Sequence, residues 1–172
     1  MSPPKRIFTR PLRACYLNLE ARVVDSSRML VEQRLSALGD IALVTIQSLD
    51  DAKFNPCDLL IVMANHIPED EFTRWLESFK GRIQTQSHVW IPALIIADID
   101  FNILREILLS VVKTNWYFDV LSSSHLDSLP IRVANLLRIH DHLHELRRYG
   151  ETLKELQEKV DGMEQKMLSP PA

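Results

Sequence analysis

The fold class is decided by residues 57–68, which read CDLLIVMANHIP. The run from Leu59 to Ala64 is apolar at every position and has the length of a β-strand. It lacks the alternation of apolar and polar residues that a strand with one face in water would show, which indicates burial on both faces. Asp58 leads into this run, and Pro68 opens a helical segment after it. The sequence therefore predicts a central strand of a parallel sheet.

Four more segments of strand length lie on either side of this one. They are predicted at residues 13–19, 40–47, 89–97 and 116–121. Helical stripes of apolar residues separate them at residues 21–38, 68–79 and 100–111, a short polar element is predicted at 48–54, and a further helix follows the last strand. Strands that alternate with helices predict an α/β fold, with a five-stranded parallel sheet and helices on both faces. In such sheets, chemistry is found beyond the carboxyl ends of the strands.

The composition argues against several classes of function. The chain has 172 residues and a net charge of −3, so no basic field favours nucleic acid. No apolar run is long enough to span a membrane and no signal-peptide core is present, which predicts a cytoplasmic protein. Glycine occurs only at positions 39, 81, 150 and 162, too scattered for a glycine-rich phosphate loop. Two buried free thiols, Cys15 and Cys57, are predicted in preference to a disulfide.

Several segments of the sequence are similar to the receiver domain of bacterial two-component response regulators. DLLIVM (58–63) resembles the third strand of that family, IPALIIAD (91–98) its fourth, and FDVLSSSHLDSLPIRVANLLR (118–138) its fifth strand and last helix. The resemblance covers about residues 12–140 and implies a flavodoxin-like fold. It also implies a phosphorylation site at the strand ends. That site has an acidic pair for a divalent cation, an acceptor aspartate, a hydroxyl residue, a lysine and an aromatic residue.

In this sequence the positions that match the phosphorylation site of the family hold other residues. The acidic pair is reduced to Glu20, which follows Asn18 and Leu19. Met63 stands at the acceptor position and Ala97 at the hydroxyl position. Ser123 stands at the lysine position and Val120 at the aromatic position. A thioether forms no acyl phosphate, one carboxylate makes a poor magnesium site, and phosphate charge would be uncompensated without lysine. We therefore predict a degenerate pocket without phosphotransfer, metal, cofactor or enzyme activity.

The second signal lies in the C-terminal segment, where no proline occurs between Pro130 and Pro170. Apolar residues recur there at alternating spacings of three and four, as at the a and d positions of a coiled coil. They are Leu146, Tyr149, Leu153, Leu156, Val160, Met163 and Met167. In a parallel homodimer, Lys159 at g would face Glu164 at e of the other chain. An amphipathic helix folded onto its own domain is the alternative reading.

The predicted organisation is a flexible tail at residues 1–11, a receiver-like domain at 12–140, a coiled-coil helix at 141–168 and a short tail at 169–172. The predicted function is a signalling and dimerisation module that acts through contacts with an unidentified signalling protein. The resemblance also allows the regulatory N-terminal part of a longer regulator, whose output domain, such as a diguanylate cyclase, is lost or separate.

Two other functions were weighed. In the first, the degenerate pocket is a small-ligand sensor with an apolar rim of Leu19, Met63 and Ala97. In the second, a flavodoxin-like enzyme pairs His66 with a serine, although no nucleophile elbow is present. The pair His140 and His144, one helical turn apart, is predicted to be solvated rather than a zinc site, because a third ligand at useful spacing is missing.

Overall fold

The fold is built on one sheet of five parallel strands. We analysed a computed structural model, which describes residues 8, 10–20, 26–49, 57–65, 67–85, 91–98, 100, 105, 109 and 117–168. The strands are β1 (Leu12–Asn18), β2 (Ile41–Ile46), β3 (Leu59–Met63), β4 (Ala93–Ile96) and β5 (Phe118–Leu121). Their spatial order is β2-β1-β3-β4-β5. The prediction of an α/β fold with a five-stranded parallel sheet is confirmed.

The segment that decided the fold class occupies the middle of the sheet. β3 pairs with β1 on one side and with β4 on the other, and all its residues are buried. A strand with neighbours on both edges and helices on both faces has no side that meets water. This explains why Leu59 to Met63 carry no polar residue. β4 is buried throughout for the same reason.

Among the described residues, three helices and two 3₁₀ segments with defined bounds accompany the strands. The helices are α1 (Ser26–Leu35), α2 (Glu69–Thr85) and α3 (Leu129–Leu168), and the 3₁₀ segments are Ser36–Leu38 and Ser123–Ser128. Gly39 follows the first 3₁₀ segment with φ of 142°, a backbone conformation that favours glycine. The predicted polar element at 48–54 and the predicted helix at 100–111 lie almost entirely outside the described residues.

Each face of the sheet carries its own apolar core. On one face, Val31 and Leu35 of α1 and Leu129, Val133 and Leu137 of α3 join one set of strand side chains. The other face is covered by Phe72, Leu76 and Phe79 of α2. Because successive side chains of a strand point to opposite faces, the two cores interleave along each strand. The prediction of helices on both faces is confirmed.

The prediction of two free thiols was wrong, because the structure pairs Cys15 and Cys57 as a disulfide. Cys15 lies in β1, and Cys57 comes two residues before β3 begins. Their Cα atoms are 6.1 Å apart, within the usual range for a disulfide. The two cysteines are 42 residues apart in sequence and become neighbours only because β3 pairs with β1, past the intervening β2.

The chain divides into two compact units, Met1–Leu137 and Arg138–Ala172. The first contains the whole sheet and both apolar cores, and the second consists of the remainder of α3 and the residues that follow it. Within the described residues, no helix combines the length and the apolar character that crossing a membrane requires.

Candidate functional site

The carboxyl edge of the sheet is the row of residues at which four neighbouring strands end. The register aligns Asn18 of β1 with Met63 of β3, Met63 with Ile96 of β4, and Ile96 with Leu121 of β5. Backbone bonds continue one step past this row, since the amide of Leu19 donates to the carbonyl of Met63 at 3.0 Å. The loops after the strands therefore start side by side, as a functional site at strand ends requires.

Glu20 joins the loop after β1 to the loop after β3. Its Oε1 accepts a hydrogen bond from the backbone N–H of Asn65 at 2.6 Å, and its own N–H donates to Oδ1 of Asn18 at 2.9 Å. Sequence reasoning took Glu20 as the one remaining acid of a cation site. In the folded chain this carboxylate instead satisfies a backbone donor of a neighbouring loop. We call this contact the Glu20 clamp.

Asp98 makes the corresponding link between the loops after β4 and β5. Its Oδ1 accepts from the hydroxyl of Ser122 at 2.6 Å and from the backbone N–H of Ser123 at 3.0 Å. Its Oδ2 accepts from the hydroxyl of Ser123. Three donors thus converge on one carboxylate and hold the two loops together. We call this contact the Asp98 clamp.

The hydrogen bonds of the Asp98 clamp continue outward through a second serine. Ser122 has given its only proton to Asp98, so at the 2.7 Å contact it accepts from the hydroxyl of Ser124. Ser124 in turn lies 3.0 Å from Nδ1 of His125. The contacts that start at Asp98 thus extend through two serines to this histidine.

The buried members of the degenerate pocket lie on opposite faces of the sheet. Met63 is 1 % exposed and belongs to the core under α1 and α3, whereas Ala97 is 3 % exposed and belongs to the core under α2. Leu19 and Val120 pack against the same core as Ala97. The predicted apolar rim of Leu19, Met63 and Ala97 is therefore divided by the sheet. Val120 stands opposite Ile95, one position inside the carboxyl edge.

The aspartate that leads into β3 has a structural role at the other end of the strand. Asp58 pairs with Arg10 at 2.7 Å, and its Oδ2 accepts the backbone N–H of Arg13 at 2.8 Å. Its own backbone N–H donates to the carbonyl of Arg13 at 2.8 Å. Asp58 thus attaches the chain before β1 to the start of β3, at the opposite end of the strand from Met63.

The apolar stripe of the C-terminal unit is the second candidate site. Six of its seven residues have described side chains, and these are between 45 and 66 % exposed: Leu146, Tyr149, Leu153, Leu156, Val160 and Met163. The side chain of Met167 lies outside the described ones. All seven lie on the single helix α3, as predicted, but one chain by itself shows only a long helix with an apolar stripe. Burying such a stripe requires a partner surface.

Metal-binding side chains do not gather in groups of three or more among the described residues. The ring centroids of His140 and His144 are 6.3 Å apart, and the two rings are tilted by 52°. His66, which the enzyme reading needs, lies outside the described residues.

Sequence analysis placed Ser123 at the carboxyl end of the fifth strand, but it missed that Ser122 and Ser123 bind Asp98. A signal was present, because an aspartate directly after one strand and three serines directly after the next must lie close once the two strands are neighbours. No such signal predicted the Glu20 clamp, because its donor is a backbone N–H, a group that the residue type does not identify.

Comparison of the chain with family models, with curated proteins and with solved structures finds no match. Its function therefore has to be argued from the geometry of these two sites.

Proposed function

We propose that this chain is a phosphorylation-independent signalling and dimerisation module: a receiver-like domain that has lost phosphotransfer and acts through protein–protein contacts. Two copies associate in parallel through the apolar stripe of α3, and the dimer binds a further signalling protein. One combination carries the proposal: the loops at the carboxyl edge bind one another through the Glu20 and Asp98 clamps, while the apolar stripe of α3 is exposed.

The carboxyl edge supports the loss of phosphotransfer. Met63 holds the acceptor position, and its thioether is buried in the core rather than presented to solvent. The Glu20 and Asp98 carboxylates already accept hydrogen bonds from neighbouring loops. These contacts use part of the acceptor capacity of each carboxylate, and the residues at the hydroxyl and lysine positions offer little to a phosphate.

The helical stripe supports dimerisation. Six large apolar side chains on one helix face are at least 45 % exposed, at the spacings of a coiled-coil seam. The charged residues pair along the outer side of the helix, as in the contact of Arg147 with Glu151 at 3.3 Å. A second copy of the same helix buries this stripe and brings Lys159 next to Glu164 of the other chain.

The test is the molar mass of the full chain in solution at micromolar concentration. We expect a dimer for the native sequence and a monomer for the double variant Leu153→Glu/Leu156→Glu, which places charge in an a and a d layer. Lys154→Glu is the matched control, because it changes the net charge by the same amount at the outward b position and should remain dimeric. A monomeric native chain would refute the proposal.

Phosphotransfer is tested separately with radiolabelled acetyl phosphate and magnesium. We expect no stable label on the native chain. The informative variant is Met63→Asp, which restores only the acceptor carboxylate. It should also stay unlabelled, because the cation and phosphate ligands are still missing. Stable label on the native chain would show that this edge is a working phosphorylation site.

The alternative of a small-ligand sensor receives less support from the geometry. Its proposed rim is divided between the two faces of the sheet, with Met63 on one side and Ala97 on the other. The enzyme reading depends on His66, which lies outside the described residues. A cytoplasmic location remains a prediction. The Cys15–Cys57 disulfide argues the other way, because thiols of cytosolic proteins are normally kept reduced.

A further inference from the structure

The apolar stripe of α3 does not begin at Leu146. With Leu146 at a, the preceding heptad places Ile139 at a and His142 at d. The side chain of Ile139 is 40 % exposed, and that of His142 is exposed as well. One heptad before His142, the d position holds Asn135, a polar residue, and the apolar pattern ends there. The stripe therefore has an additional heptad with a histidine in its d layer.

A second copy of the helix is the partner that fits this longer stripe. The residues from Ile139 to Met167 would form a seam about 42 Å long at 1.5 Å per residue. A heptad stripe is complementary to its own copy, because each a or d side chain packs between four residues of the same pattern. Lys159 of one chain and Glu164 of the other would attract each other across this seam. This step rests on the proposed function.

We propose that the dimer seam starts at Ile139, that its first d layer is a pair of His142 imidazoles, one from each copy, and that protonation of this pair weakens the dimer. The site makes self-association sensitive to pH between neutrality and mild acid, the range in which histidine side chains change charge.

The surroundings of His142 give the direction of the effect. In a parallel coiled coil a d side chain packs against the a, d, e and following a residues of the other helix. For His142 these are the partner's Ile139, the partner's His142, the partner's Leu143 and the partner's Leu146. Two neutral imidazoles can share a hydrogen bond in that layer, since each has one donor and one acceptor. Two protonated imidazoles have donors only, and their like charges would lie among apolar side chains.

The charged groups of its own helix do not reverse this effect. The Nδ1 atom of His142 is 4.0 Å from Oε2 of Glu145, and both side chains are largely exposed, at 78 and 67 %. Such exposed pairs contribute little. Arg138, one turn before His142 on the g edge, adds positive charge and opposes protonation. The net expectation is a dimer that is strongest near neutral pH and weakens as the pH falls.

The test is sedimentation equilibrium of the full chain at pH 7.5 and pH 5.5. We expect the dissociation constant of the native dimer to rise by about tenfold on acidification, the size of effect that corresponds to about 1.4 kcal/mol. His142→Leu should dimerise more tightly and lose most of this change. His144→Leu removes a histidine from the outward f position two residues later and should keep the full change.

Cross-linking provides a second measurement that does not depend on titration. His142→Cys should form an interchain disulfide under mild oxidation, because equivalent d residues face each other in a parallel seam. His144→Cys should remain unlinked. Cross-linking at 144 but not at 142 would overturn the proposed layer, as would an equal pH response in the native and His142→Leu chains. A native chain that is monomeric at both pH values would instead refute the proposed function.

Discussion

Leucines of the sheet and leucines of the C-terminal helix have opposite environments in this chain. Leu94 in β4 is fully buried, whereas Leu153 and Leu156 in α3 are more than half exposed. In both regions the leucines belong to a periodic pattern of apolar residues. In the sheet unit, the strands and helices supply each other with covering surfaces. In the helical unit, the described side chains of the stripe are exposed, and the dimer proposed above would bury them.

The polar groups show the same contrast. At the carboxyl edge, Glu20 and Asp98 bind donors that are distant in sequence, 45 and at least 24 residues away. On the helix, the side chains of Arg147 and Gln157 form hydrogen bonds to residues one turn away. Long-range contacts fix one arrangement of loops, while short-range contacts leave the helix surface available for association. The comparison can be tested by perturbing each region separately.

The largest expected effect comes from reducing the Cys15–Cys57 disulfide. A bond that closes a loop of 42 residues should stabilise the fold by about 4 kcal/mol, chiefly by restricting the unfolded chain. Urea unfolding followed by tryptophan fluorescence, with and without reductant, would measure this loss. The helical unit contains no cysteine and should keep its circular dichroism. Detection of two free thiols in the denatured, unreduced chain would contradict the bond itself.

The next effect distinguishes a buried from an exposed leucine. Leu94→Ala should lower the free energy of unfolding by about 3 kcal/mol, because it leaves a cavity in the core between the sheet and the helices α1 and α3. Leu153→Ala is the matched substitution in the helical stripe. At protein concentrations below the dimer range it should change the unfolding of the sheet by less than about 0.5 kcal/mol. Equal losses at the two sites would mean that the stripe is already covered within one chain.

A smaller effect is expected from Asp98→Ala. This change removes the acceptor of three hydrogen bonds and should lower stability by only about 1 kcal/mol, because Asp98 is exposed to solvent. Combining it with Ser123→Ala should cost less than the sum of the two single changes, because both break the same contact. Full additivity in chemical denaturation would show that the Asp98 clamp does not couple the two loops.

The smallest effect is a gain on the helical side. Gly150→Ala should stabilise α3 by up to about 1 kcal/mol, because a methyl group at this position meets no atom within 4 Å and alanine favours helix. Helix content from circular dichroism should rise, and the dimer should tighten. Gly162→Ala offers an independent repeat in equally open space. A loss of dimer at either position would indicate that the partner chain packs closely against that glycine.

Much of the fold could be predicted because its signals are local. The apolar run from Leu59 to Met63 indicated a strand covered on both faces, and β3 is buried throughout. The first helical stripe was predicted to end at residue 38, and Gly39 follows the 3₁₀ segment with positive φ. The carboxyl edge was less predictable. The positions of Met63 and Ala97 at strand ends followed from sequence, but their separation by the sheet depended on the register.

The sequence by itself determined the element types, the parallel sheet and the apolar stripe of α3, because each depends on the spacing of residues within about ten positions. Only the tertiary structure decided that Cys15 meets Cys57, that Glu20 binds the loop after β3, and that Asp98 binds the serines after β5. Those contacts join residues brought together by strand order, and strand order is set by packing of the whole sheet rather than by any local pattern.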